Sequence, residues 1–97
     1  MDFEAPLWRY PGPGGWHFVT LPPELADELR ERTAGTRAGF GSIRVRATAG
    51  GVSWDTSLFP DAASGSYLLP VKKAVRTAAG LGDGSLVRIG LTLPGED

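Results

Sequence analysis

Ser66-Tyr67-Leu68-Leu69-Pro70-Val71-Lys72-Lys73-Ala74-Val75 runs from a short aromatic and aliphatic segment through a proline into a helical spacing. The first residues suit a strand, because a run of this composition fits a pleated, half-buried surface and proline removes the next backbone donor. Beyond Pro70, Val71, Ala74, Val75 and Ala78 recur at i, i+3, i+4 and i+7, which predicts a helix that Gly80 ends. The same grammar occurs 48 residues earlier. Trp16-His17-Phe18-Val19-Thr20-Leu21 reads as a strand closed by Pro22-Pro23. Leu25, Ala26 and Leu29 then mark the apolar face of a helix over 23–33.

Outward from these two strand–helix junctions, alternation takes over. Ile43, Val45 and Ala47 alternate with Arg44, Arg46 and Thr48 up to Gly50-Gly51, and Val87, Ile89, Leu91 and Leu93 alternate with Arg88, Gly90 and Thr92 after the turn Gly82-Asp83-Gly84. A loop is expected over Ala34–Gly41. Phe3, Ala5 and Leu7 predict a first strand, with Pro6 pointing to an edge position, and Pro11-Gly12-Pro13-Gly14-Gly15 turns it into the second. Val52, Trp54, Thr56 and Leu58 predict a further strand closed by Pro60.

A shift of 48 superposes Leu21-Pro22 on Leu69-Pro70, and a shift of 44 superposes Ile43-Arg44-Val45 on Val87-Arg88-Ile89. The difference is a shorter loop. The chain therefore reads as one domain over 1–97, with an internal repeat of approximately 1–50 and 51–97. Each half is a strand–strand–helix–strand unit that cannot bury its own apolar face. Two such units interlocking about a pseudo-twofold axis predict a mainly β fold with two short helices, its six strands closed as a barrel.

Composition sets limits on function. Ninety-seven residues, 41% hydrophobic and 22% charged, suit one modest core. No cysteine and a single histidine exclude disulfides, thiolate metal sites and most imidazole zinc sites. The N-terminus carries no basic segment followed by an apolar run, and no apolar stretch is long enough for a membrane helix, so a cytoplasmic setting without membrane contact is expected. A net charge of −1 leaves any anion binding to a local patch.

Trp16-x-Phe18-Val19-x-Leu21-Pro22, Trp54-Asp55-Thr56-Ser57-Leu58-Phe59 and Gly65-Ser66-Tyr67-Leu68-Leu69-Pro70-Val71-Lys72-Lys73-Ala74-Val75-Arg76, with Gly80-Leu81, resemble the bacterial domain-of-unknown-function family numbered nineteen-oh-five. The resemblance implies a double-split β-barrel, similar to the folds of AbrB-like and MazE-like DNA-binding proteins. It implies no catalytic residues.

The two helices differ in charge. The first carries four acids against Arg30 and Arg32, whereas the second carries Lys72, Lys73 and Arg76 with no acid. Lysines in a first turn oppose the helix dipole, and no Ser, Thr, Asp or Asn immediately precedes Val71 as a cap. An anion site on Lys72, Lys73 and Arg76, extended by Arg44 and Arg88 if they share a face, is the sharper expectation; a solvated helix face is the plainer one. Trp54, Thr56, Ser57 and Tyr67 are candidates for a pocket or a stacking surface, against the plainer reading of core packing. His17 lacks the neighbours of a catalytic triad and reads as structural.

These features favour a non-enzymatic, monomeric binding or interaction module without a cofactor, its partner a phosphate-containing ligand, a nucleic acid or a protein. An AbrB-like nucleic-acid-binding protein is the alternative. A small-ligand-binding protein or enzyme is the third reading, favoured if Tyr67, Ser57 and Lys72 meet in one pocket.

Overall fold

The alternation of Ile43-Arg44-Val45-Arg46-Ala47-Thr48-Ala49 is realised in full in the computed structural model, which describes residues 1–35 and 41–95. Every odd-numbered residue of this strand is buried and every even-numbered one exposed. The strand is β3 (Ile43–Ala49) of an antiparallel set. Its fellows are β1 (Asp2–Arg9), β2 (His17–Thr20), β4 (Val52–Asp61), β5 (Ser66–Pro70) and β6 (Leu86–Thr92). They close in the order β1-β2-β5-β4-β3-β6. Helix α1 (Pro23–Arg32) follows β2, and α2 (Lys73–Ala79) follows β5. The expected mainly β barrel with two short helices is thus observed.

Closure depends on two strands that change partner along their length. β1 pairs with β6 over Asp2–Pro6 and with β2 over Leu7–Arg9, while β4 pairs with β3 over Val52–Leu58 and with β5 over Phe59–Asp61. Exchanging β1, β2 and β3 for β4, β5 and β6 leaves the order of pairing unchanged. The barrel interior is filled by Leu7, Val19, Leu58, Leu69, Ile89 and Leu91, all sealed from solvent. Ala26 and Leu29 of α1 and Val75 of α2 join the same core.

Three expectations need correction. Pro6 marks no sheet edge, because the barrel is closed; it stands where β1 leaves β6 for β2. Pro60 does not end its strand, which continues to Asp61. Pro60 lies opposite Tyr67, whose carbonyl accepts the Leu21 N–H at 3.0 Å from the other side, so Pro60 faces no demand for a donor. The second helix begins at Lys73 rather than Val71. The Val71 N–H donates to the His17 carbonyl at 3.0 Å, which prolongs the β2–β5 pairing past Pro70 and leaves Lys72 extended as the N-cap. The first helix ends close to expectation, with Thr33 as its C-cap. The expected loop over Ala34–Gly41 falls mostly on residues 36–40, outside the described residues.

Gly80 closes α2 at φ 68°, ψ 35°, where the Leu81 N–H reaches the Arg76 carbonyl at 2.8 Å. That left-handed conformation is open to glycine without the Cβ penalty. Among the described residues, no helix is long and apolar enough to cross a membrane.

Candidate functional site

The β1–β2 turn, β4 and the start of α2 surround an open cleft of about 910 Å³. Each wall follows from local structure. The glycine- and proline-rich turn returns the chain so that Arg9, the last residue of β1, lies in register with His17. Gly14, at φ 99°, lets the indole of Trp16 lie against the turn, since a Cβ there would come within 3.1 Å of its pyrrole atoms. The extended Pro70-Val71-Lys72 segment, held beside β2 by the Val71–His17 hydrogen bond, brings Lys72 and Lys73 to the cleft, with Arg76 one helical turn further on.

Electrostatically the cleft is lopsided. Arg9, Lys72, Lys73 and Arg76 line it together with the carboxylates of Asp55 and Asp83. Both carboxylates are engaged: Asp83 Oδ1 lies 2.6 Å from His17 Nε2, and Asp55 accepts from Arg46 Nη1 at 3.0 Å. Arg76 Nη1 donates to the Val71 carbonyl at 2.7 Å, which ties that guanidinium to the segment ahead of its own helix. Arg9, Lys72 and Lys73 make no side-chain hydrogen bond or ion pair among the described residues.

Aromatic rings complete the lining. Trp16 and Phe59 are exposed by 56% and 47%, whereas Trp54 is only 6% exposed. The Trp54 Nε1–H is buried without an acceptor among the described residues. Such a donor forfeits roughly 1–3 kcal/mol unless something supplies the missing oxygen.

The expected site residues divide. Lys72, Lys73, Arg76, Trp54 and Thr56 come together in the cleft. Arg44 and Arg88 do not: Arg44 projects from the outward face of β3, and Arg88 sits on β6 in register with Glu4. Ser57 falls on the opposite parity of β4 from Trp54 and Thr56, in register with Arg44, and lies outside the cleft lining. Tyr67 is buried at 3% exposure under Arg30, whose guanidinium lies 5.3 Å from the ring centroid. Tyr67, Ser57 and Lys72 therefore do not share one pocket.

Arg9, Trp16 and Asp83 were not among the site residues expected from the sequence, and His17 was read as structural. For Arg9 a signal existed, because a hairpin turned at residues 11–15 sets the residues flanking it side by side. In the structure His17 Nδ1 lies 2.7 Å from the Gly15 carbonyl and Nε2 faces Asp83, so the ring joins the β1–β2 turn to the loop after α2. No group of three or more metal-ligating side chains occurs among the described residues.

Fold and cleft together define a small closed-barrel β domain with a cationic, aromatic-lined depression on its surface. The chain belongs to the family described as Domain of unknown function (DUF1905), whose model matches residues 3–91. Comparison with curated proteins gave no match.

Proposed function

We propose that this protein is a non-enzymatic binding module whose cleft takes a phosphate-containing anion. The observation that carries this reading is the convergence of Arg9, Lys72 and Lys73, all without side-chain partners among the described residues, on a cleft whose two carboxylates are already engaged. Cations grouped on low-dielectric walls raise the local concentration of anions even on a protein of net negative charge. A continuous basic track of the kind duplex DNA requires is not supported, because Arg44 and Arg88 project elsewhere.

Phosphate at constant ionic strength is expected to raise the unfolding temperature. At ten times its Kd a ligand adds about 1.4 kcal/mol, or roughly 6–11 °C for a domain of this size. Thermal unfolding followed by circular dichroism in millimolar phosphate, against sodium chloride of equal ionic strength, checks this, and an unchanged midpoint would sink the reading.

All six strands of the closed barrel come from one chain, which supports a monomer. Light scattering is expected to return a mass near 10.3 kDa; a stable dimer would contradict it.

A further inference from the structure

Building on that anion-binding reading, we propose that the ligand is a nucleoside phosphate, its phosphate held by Lys72, Lys73 and Arg9 and its base stacked on Trp16. A lone phosphate accounts for the cations but not for the aromatic lining or the size of the cleft. About 910 Å³ lies in the range of sites for ligands much larger than an inorganic ion.

Trp16 is the most telling element. A tryptophan 56% exposed on a small domain has an unused ring surface, and here the ring is held in place. It lies parallel to Phe18, with centroids 6.1 Å apart and planes 7° from coincidence. Phe18 packs in turn on Trp8 at 5.3 Å, and the Trp8 Nε1–H donates to Thr20 Oγ1 at 2.9 Å. The three rings form a ladder anchored on the β1–β2 hairpin, so a base stacking on Trp16 meets a surface that is already ordered. Phe59 presents a second exposed ring from β4 to the same cleft.

Trp54 is a further aromatic residue of the same lining. Its Nε1–H is buried, and no acceptor meets it among the described residues. That nitrogen is closed to the cleft surface, so the donor belongs to the packing around the indole and not to the wall a ligand would touch. An ordered, flat aromatic surface beside cations without side-chain partners matches a ligand that combines an aromatic ring with negative charge.

The test is calorimetric titration of the full chain, at fixed ionic strength, with inorganic phosphate, ribose 5-phosphate and adenosine 5′-monophosphate. Adenosine 5′-monophosphate is expected to bind roughly tenfold or more tightly than ribose 5-phosphate, the increment that stacking on one ring supplies. Trp16→Leu should erase that difference, and Trp16→Phe should restore part of it. Equal affinities for the two ligands in the wild-type protein would overturn the base-stacking proposal and leave anion binding standing. No binding of any of the three would remove the anion reading itself.

If Trp16→Leu disturbs the hairpin, the wild-type indole resonances decide the matter: an upfield shift of the Trp16 signals with the nucleotide, and not with the sugar phosphate, upholds stacking, and its absence overturns it. A single-stranded thymidine octanucleotide distinguishes two sources of the same chemistry. Tighter, steeply salt-dependent binding assigns the site to a strand, and affinity no better than that of the mononucleotide assigns it to a free nucleotide; either result upholds recognition of base plus phosphate.

Discussion

The double variant Lys72→Glu/Lys73→Glu is expected to lower phosphate affinity about 100-fold or more without lowering stability. Reversing a charge changes its interaction with a phosphate by two charge units. At about 5 Å in a fully aqueous dielectric this amounts to ~1.7 kcal/mol per residue for a monoanion, so two reversals give ~3 kcal/mol. The fold should not suffer, because neither lysine has a side-chain partner among the described residues. Acids at the start of a helix are also better placed than lysines, by roughly 0.3–1 kcal/mol each. Isothermal titration calorimetry and urea unfolding read the two halves of the expectation. Arg44→Glu/Arg88→Glu is the control, since it changes the net charge equally outside the cleft. If both double variants weaken binding alike, the effect belongs to total charge and the cleft is not the site.

Leu69→Ala is expected to lower the free energy of unfolding by about 2–5 kcal/mol, the range for removing a leucine side chain from a packed core. Leu69 is fully buried on β5, directly in register with the equally buried Val19 of β2. The β2–β5 pairing is one of the seams that join the first three strands to the last three. A void there is bordered by strands whose positions the closed barrel constrains, so collapse around it is limited. At 4–8 °C per kcal/mol the melting temperature should fall by at least about 8 °C. Urea denaturation should show a lower midpoint with an unchanged m-value. A loss below about 1 kcal/mol would mean that the seam can relax and that Leu69 is not a keystone of the core.

Local periodicity carried much of the fold. The burial of Ile43, Val45 and Ala47 and the exposure of Arg44 and Arg46 follow from a period of two, and that alternation is observed residue by residue. The second helix was legible from Val71, Ala74, Val75 and Ala78, but its first turn was not. Whether Val71 joins the helix or prolongs the strand is settled by the His17 carbonyl, a partner distant in sequence. Phe59 and Tyr67 show the same limit for side chains: both are aromatic and lie on strands, yet one is exposed by 47% and the other by 3%. The alternation within a strand does not say which of its residues lies under a helix and which at an open cleft.

The sequence by itself determined the elements, their inward and outward faces, the barrel with two helices, and the contrast between an acidic first helix and a basic second one. The elements, their faces and the charge contrast rest on residues close together along the chain, where spacing alone decides which side chains share a surface, and the barrel was inferred from the recurrence of the unit. Only the tertiary structure decided that β1 and β4 each pass from one neighbour to another along their length, that Lys72 and Lys73 line one cleft with Arg9 and Trp16, and that Arg44 and Arg88 do not. The His17–Asp83 contact spans 66 residues. Such a contact is selected by closure of the whole barrel, and no local pattern encodes it.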